Sequence, residues 1–181
     1  VFSAIGVAIV AAPIAPAVAE PIGEPLYSLV DAATQRLQTA DPVAATKWLN
    51  GGAITDPARV QQVLSAVSAD AQSASVPTDY VTRVFTDQIN ATEAIQYSRF
   101  SWWKLDPADA PVSAPDLTSS RALIDGLNQR MVEEIAAQWP VLHSPDCPIR
   151  LGAAKVAVAA DRGLDPLYMH ALDAATRSYC G

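Results

Sequence analysis

Four cations stand close to apolar stripes in this chain: Arg36, Lys47, Arg59 and Arg121. Arg36 shares a helical face with Leu29 and Ala33, and Lys47 sits beside Trp48. Arg59 falls three residues after Asp56, and Arg121 borders the stripe of Ile124, Leu127, Met131 and Ile135. Taken singly, such residues usually lay an aliphatic stem on the core and keep the charge in water. The segment DQINATEAIQYSRF, residues 87–100, changes the weight of that reading. Gln88, Thr92 and Gln96 recur there at every fourth position, in the same helical stripe as Val81, Val84, Phe85, Ile89, Ile95, Arg99 and Phe100. A helix in water keeps its inward stripe apolar, so neutral polar groups inside it need an inward partner. Drawn together, the cations and these groups would make a buried, hydrogen-bonding pocket for a small dianion.

Other chemistries have little to work with. The two histidines, His143 and His170, lack Cys, Asp or Glu partners at metal-ligand spacing, so neither a metal nor a cofactor is expected. No G-x-S-x-G elbow, P-loop or dinucleotide fingerprint occurs. His143-Ser144 reads as loop surface, and the sequon Asn90-Ala91-Thr92 falls within a helix. The formal net charge of −7 argues against general binding to nucleic acid or to an anionic membrane. An enzyme built from these residues would use no nucleophile, metal or redox group.

The elements that must position these residues read as helices throughout. Half the residues are hydrophobic, Ala is abundant and aromatics are few, and no run alternates like a strand. A first helix is expected over 24–40, with Leu26, Leu29, Val30, Ala33 and Leu37 inward. Asp41-Pro42 reads as an N-cap and first position of a short helix that Gly51-Gly52 stops. Asp56-Pro57 repeats that start for a helix to about Ser75, and Pro77 opens a long one to about Trp103. A proline-rich connector at 106–116 leads to a second long helix over 117–139. Helices over 149–162 and 166–179 complete a single all-α domain as a hairpin turning at RGLDP. The antiparallel arms set Cys147 beside Cys180, and these two cysteines are expected to form a disulfide. The N-terminus fits that chemistry. VFSAIGVAIVAA is an apolar run too short for a membrane span, and Ala17 and Ala19 precede Glu20. Residues 1–19 therefore read as a secretory signal peptide and 20–181 as the mature domain. The destination is extracellular or periplasmic, with no membrane anchor left after cleavage.

Arg36, Lys47 and Arg59 stand 11 and 12 residues apart, and Thr92 and Gln96 one helical turn apart. This pattern resembles the active site of the all-helical AroQ-type chorismate mutases. The segments LVDAATQRL, ADPVAATKW, DYVTRVF, TDQI, ATEAI, YSRFSWWKL, PDLTSSR and the closing SYC are similar to the secreted gamma-type members of actinobacteria, over essentially the whole mature chain. The resemblance implies a helical bundle with a stapled C-terminal hairpin, forming a homodimer with one site per chain. It implies conversion of chorismate to prephenate. By that resemblance Arg36, Arg59 and Arg121 hold the two carboxylates, and Lys47 bonds the ether oxygen and a carboxylate. Thr92 belongs to the carboxylate-binding part, Asp56 lies near the ring hydroxyl, and Gln96 meets the ether oxygen where members carry Glu or Gln. Two departures stand out. Arg121 would come from the same chain rather than a partner, and Val60 occupies a position that is acidic in some intracellular members. The competing expectation is a non-catalytic secreted helical protein that binds a small dicarboxylate or a protein partner.

Overall fold

A computed structural model of the protein describes residues 23–181, so the expected signal peptide, residues 1–19, lies outside the described residues. Eight α-helices follow in order: α1 (Tyr27–Gln38), α2 (Ala40–Asn50), α3 (Pro57–Ser73), α4 (Thr78–Leu105), α5 (Leu117–Ala137), α6 (Trp139–Leu142), α7 (Cys147–Arg162) and α8 (Pro166–Ala175). A single 3-10 turn, Pro107–Asp109, interrupts the connector after α4.

The 28-residue α4 is the spine. At 1.5 Å per residue it runs about 42 Å, and α1, α2, α3 and α8 all pack along it. Its buried residues Val81, Val84, Phe85, Gln88, Ala91, Ile95 and Gln96 follow the helical repeat, which puts two glutamines in the seam that apolar residues would otherwise fill. Helix α1 crosses the centre of the molecule. Leu29, Val30, Ala33 and Leu37 have no exposed surface, because α4, α5, α7 and α8 enclose the helix. Arg36 lies among them.

Helix boundaries follow local chemistry. Gly51 takes the left-handed conformation, φ 66°, and the Gly52 N–H returns to the Lys47 carbonyl at 2.8 Å, ending α2. Asp56 accepts from the Arg59 N–H at 3.0 Å with Pro57 next in line, which starts α3. Asp116 and Asp165 do the same for Ser119 and Tyr168. Asp41 behaves otherwise than expected. Helix α2 begins two residues earlier, at Ala40 after Thr39, whose own helical backbone makes α1 and α2 nearly continuous. The Asp41 carboxylate instead takes two bonds from Arg99, at 2.7 and 3.1 Å. That partly buried arginine needs a counter-charge more than the first turn of α2 needs a cap.

The C-terminal arms turn at Gly163, φ 58°, and Lys155 on α7 pairs with Asp173 on α8 at 2.7 Å. Both arms pack on α1, and α8 packs on α4 as well. Cys147 and Cys180 are joined in a disulfide, with Cα atoms 5.7 Å apart. The Tyr80 hydroxyl donates to the Tyr179 carbonyl at 2.5 Å, seating the same tail on α4. Closing a 33-residue separation restricts the unfolded chain by about 3–4 kcal/mol. Urea unfolding of the Cys147→Ser, Cys180→Ser double variant is expected to show a loss of that order relative to the oxidised parent.

Candidate active site

One cleft gathers groups from four helices and a loop. Arg36 comes from α1, Lys47 from α2, Asp56 from the loop before α3, Arg59 from α3, and Thr92, Glu93 and Gln96 from α4. Val43, Ile54, Val60, Val63, Ile89 and Ile124 supply apolar walls between them. An apolar cleft with a few convergent polar groups is the ordinary form of a small-molecule site.

Arg36 is the deepest of these groups, with 4% of its surface exposed. Its Nε donates to Asn128 Oδ1 at 2.7 Å, and its Nη1 donates to Thr92 Oγ1 at 3.2 Å and to Gln88 Oε1 at 3.5 Å. The Phe85 ring lies 5.9 Å from its guanidinium carbon. Every partner is neutral. Burial pushes the Arg36 pKa down to about 10, and the nearby Arg59 adds to the effect, so the group remains a cation through the physiological range. This is why Gln88, fully buried, belongs in the α4 stripe: its amide oxygen faces a buried cation.

Lys47 is half-buried, and its Nζ donates to the Ile54 carbonyl of the loop. Burial lowers its pKa, Glu93 and Asp56 oppose that shift, and Arg121 reinforces it. The loop carrying Ile54 is fastened to α4 by Thr55, whose hydroxyl donates to Glu93 at 3.1 Å and lies 3.0 Å from the Tyr97 hydroxyl. Gln96 is 4% exposed. Its Nε2 lies 3.4 Å from the Thr92 carbonyl, a long bond, and its Oε1 is sealed without a protein partner. Arg59 donates to Asp125 at 2.5 Å and to Gln62 at 2.9 Å.

Six of the seven residues singled out in the sequence thus line one cleft: Arg36, Lys47, Asp56, Arg59, Thr92 and Gln96. Arg121 does not line it. It is exposed on α5, one position off the face that carries Ser120, Ile124 and Leu127, although its charge reaches Lys47. Glu93 lines the wall and had no role assigned from sequence. Its neighbourhood with Thr92 was the available signal, obscured because an acidic side chain beside a cationic stripe also reads as a solvated face. Arg99 is structural, held by Asp41. Among the described residues no group of three or more His, Cys, Asp or Glu could hold a metal ion. No described helix is long and apolar enough to cross a membrane.

The bundle and its cleft define a helical protein whose pocket sets three cationic side chains, one of them buried, among apolar walls. The sequence profile of the type II chorismate mutases matches residues 27–97. The chain is 60% identical over 156 residues to the secreted chorismate mutase of Mycolicibacterium smegmatis, covering 86% of each chain. It is 52% identical over 170 residues to the secreted chorismate mutase of Mycobacterium tuberculosis, covering 93% of this chain and 85% of that one. The crystal structure of chorismate mutase from Burkholderia thailandensis superposes with a TM-score of 0.82 at 34% identity, over 87% of this chain and 100% of that one. The chain belongs to the chorismate mutase family, type II, and is an enzyme of the isomerase class.

Asp56 stands at the junction of fold and site, because its carboxylate caps the helix that presents Arg59. Asp56→Ala is expected to cost about 1 kcal/mol of stability, and Asp56→Asn much less, as read from urea midpoints.

Proposed function

We propose that the cleft rearranges chorismate to prephenate with the roles divided as follows. Arg36 and Arg59 hold the two carboxylates, Thr92 adds a hydroxyl, and Asp56 borders the ring hydroxyl. Lys47 and the amide of Gln96 donate to the ether oxygen. Arg121 reaches the ligand from the cleft mouth. The observation that carries this reading is Arg36, a buried guanidinium whose protein partners are all neutral, facing a cleft shared with Lys47 and Gln96.

The rearrangement is unimolecular. The ether C–O bond breaks as a new C–C bond forms, with no net proton transfer. Catalysis therefore consists of holding the enolpyruvyl side chain over the ring and stabilising the negative charge that grows on the ether oxygen. Charge-assisted bonds from two arginines fix the first. A lysine ammonium and a carboxamide, in a cleft with apolar walls, supply the second at lower dielectric than water provides. A glutamine donates without first taking up a proton, unlike a glutamate at the same place.

Removing the ammonium removes a donor to the developing oxyanion, so Lys47→Ala is expected to lose at least ~3 kcal/mol of transition-state stabilisation, measured as kcat/KM for chorismate by ultraviolet absorbance. Unchanged kcat/KM would end this account of the mechanism. The parent is expected to be flat between about pH 5 and 8, where only histidine normally titrates. Because burial lowers the Lys47 pKa, its ammonium deprotonates before an ordinary lysine would, and activity is expected to fall on the alkaline side of that plateau. Gln96→Glu is expected to convert the plateau into a profile that favours acid; a profile matching the parent would remove Gln96 from the ether oxygen.

The mature enzyme is proposed to begin at Glu20 after export, a reading supported by the leader-like sequence and by relatives named as secreted. It is further proposed to work as a homodimer with a complete site in each chain. N-terminal sequencing of the exported protein and light scattering check these two points.

A further inference from the structure

The arginine with the least exposed surface has no carboxylate partner of its own. Arg59, Arg83, Arg99 and Arg162 each pair with an aspartate, and all four are more exposed than Arg36. Arg36 forms no ion pair among the described residues and is instead gripped by side-chain oxygens of Asn128, Gln88 and Thr92. Asn128 is 4% exposed and Gln88 is fully buried, so each was taken out of water to meet this guanidinium. The Nη2 group makes no hydrogen bond among the described residues, and Arg36 lines the cleft.

An aspartate at position 128 or a glutamate at 88 would have nearly the same shape as the residue present. It would pair with the guanidinium more strongly than an amide oxygen does. The cost would fall on the ligand, because a carboxylate already bonded to Arg36 competes with an incoming one and cancels the charge that attracts it. Neutral acceptors fix the orientation of the guanidinium and leave its charge unspent.

We infer that Asn128 and Gln88 are positioning residues for the substrate-binding site, orienting Arg36 through neutral oxygens so that its charge is reserved for a carboxylate of the ligand. Neither residue touches the reacting atoms. Asn128 acts from α5, a helix whose contribution to the cleft wall is otherwise the apolar Ile124. The inference rests on the proposed role of Arg36 toward chorismate.

Asn128→Asp separates this role from a merely structural one. Steady-state kinetics with chorismate are expected to show KM raised at least about tenfold with kcat within about threefold of the parent, the pattern of lost ground-state binding. The thermal midpoint is expected to stay close to the parent's. Gln88→Glu places the new charge on another edge of the guanidinium and carries the same expectation, so a folding defect in one variant leaves the other to decide. A folded variant with the parent's KM, or one that loses kcat alone, overturns the inference. So does failure of both variants to fold, since neutrality would then be a requirement of the core. If the parent itself does not turn over chorismate, the proposed role of Arg36 fails first and takes this inference with it. If the parent is active and KM is unmoved, only this inference falls.

Discussion

A guanidinium held away from water, with no anion of its own protein beside it, organises this molecule. Burying an uncompensated cation is unfavourable unless its donors are satisfied. Two helices contribute oxygens to that end, with Thr92 and Gln88 from α4 and Asn128 from α5, around Arg36 on a third, α1. The same three helices form the heart of the bundle, so the polar cluster and the apolar core specify one arrangement together. The remaining charges of the cleft sit nearer its mouth, where water and carboxylates share them. Lys47 leans on the Ile54 carbonyl within reach of Glu93 and Asp56, and Arg59 leans on Asp125. The site is thus graded, with partnered cations outside and an unpartnered one within.

Much of the fold was legible because the helix signals were local. Asp56-Pro57, Gly51 and Asp165-Pro166 mark boundaries through bonds made within one turn, and the structure keeps all three. Asp41-Pro42 offered the same signal and meant something else. Its carboxylate is claimed by Arg99, 58 residues away, and a pairing at that range leaves no trace in local spacing. Short α6 was hidden in a similar way, since Pro140 in the first turn of a helix looks like any proline in a loop.

The cleft shows the same division. Polar residues on an otherwise apolar stripe announced Thr92 and Gln96, because a buried polar group must have a reason. Glu93 and Asn128 gave no such warning. One lies beside a stripe where acids are commonly solvated, and the other sits among Asn128-Gln129-Arg130, whose polarity suggests surface until the helix is rotated into place. Arg121 is placed less directly than its spacing suggests. It borders an apolar face by sequence, and a shift of one position, about 100° around α5, leaves it in solvent beside buried Ser120.

Helix α4 carries Gln88, Thr92 and Gln96 on a single rod, with Glu93 alongside, and both of its ends lie remote from them in sequence. On such a rod, distance along the chain and angle around the axis cannot be adjusted independently. One inserted residue between Gln88 and Gln96 would swing everything beyond it by about 100° and advance it by 1.5 Å. Residues before Gln88 or after Gln96 could be lengthened without altering the relation among the three. The spacing of four is therefore a unit of inheritance: the chain can drift at the tips of this helix, while its middle can change in identity but not in count.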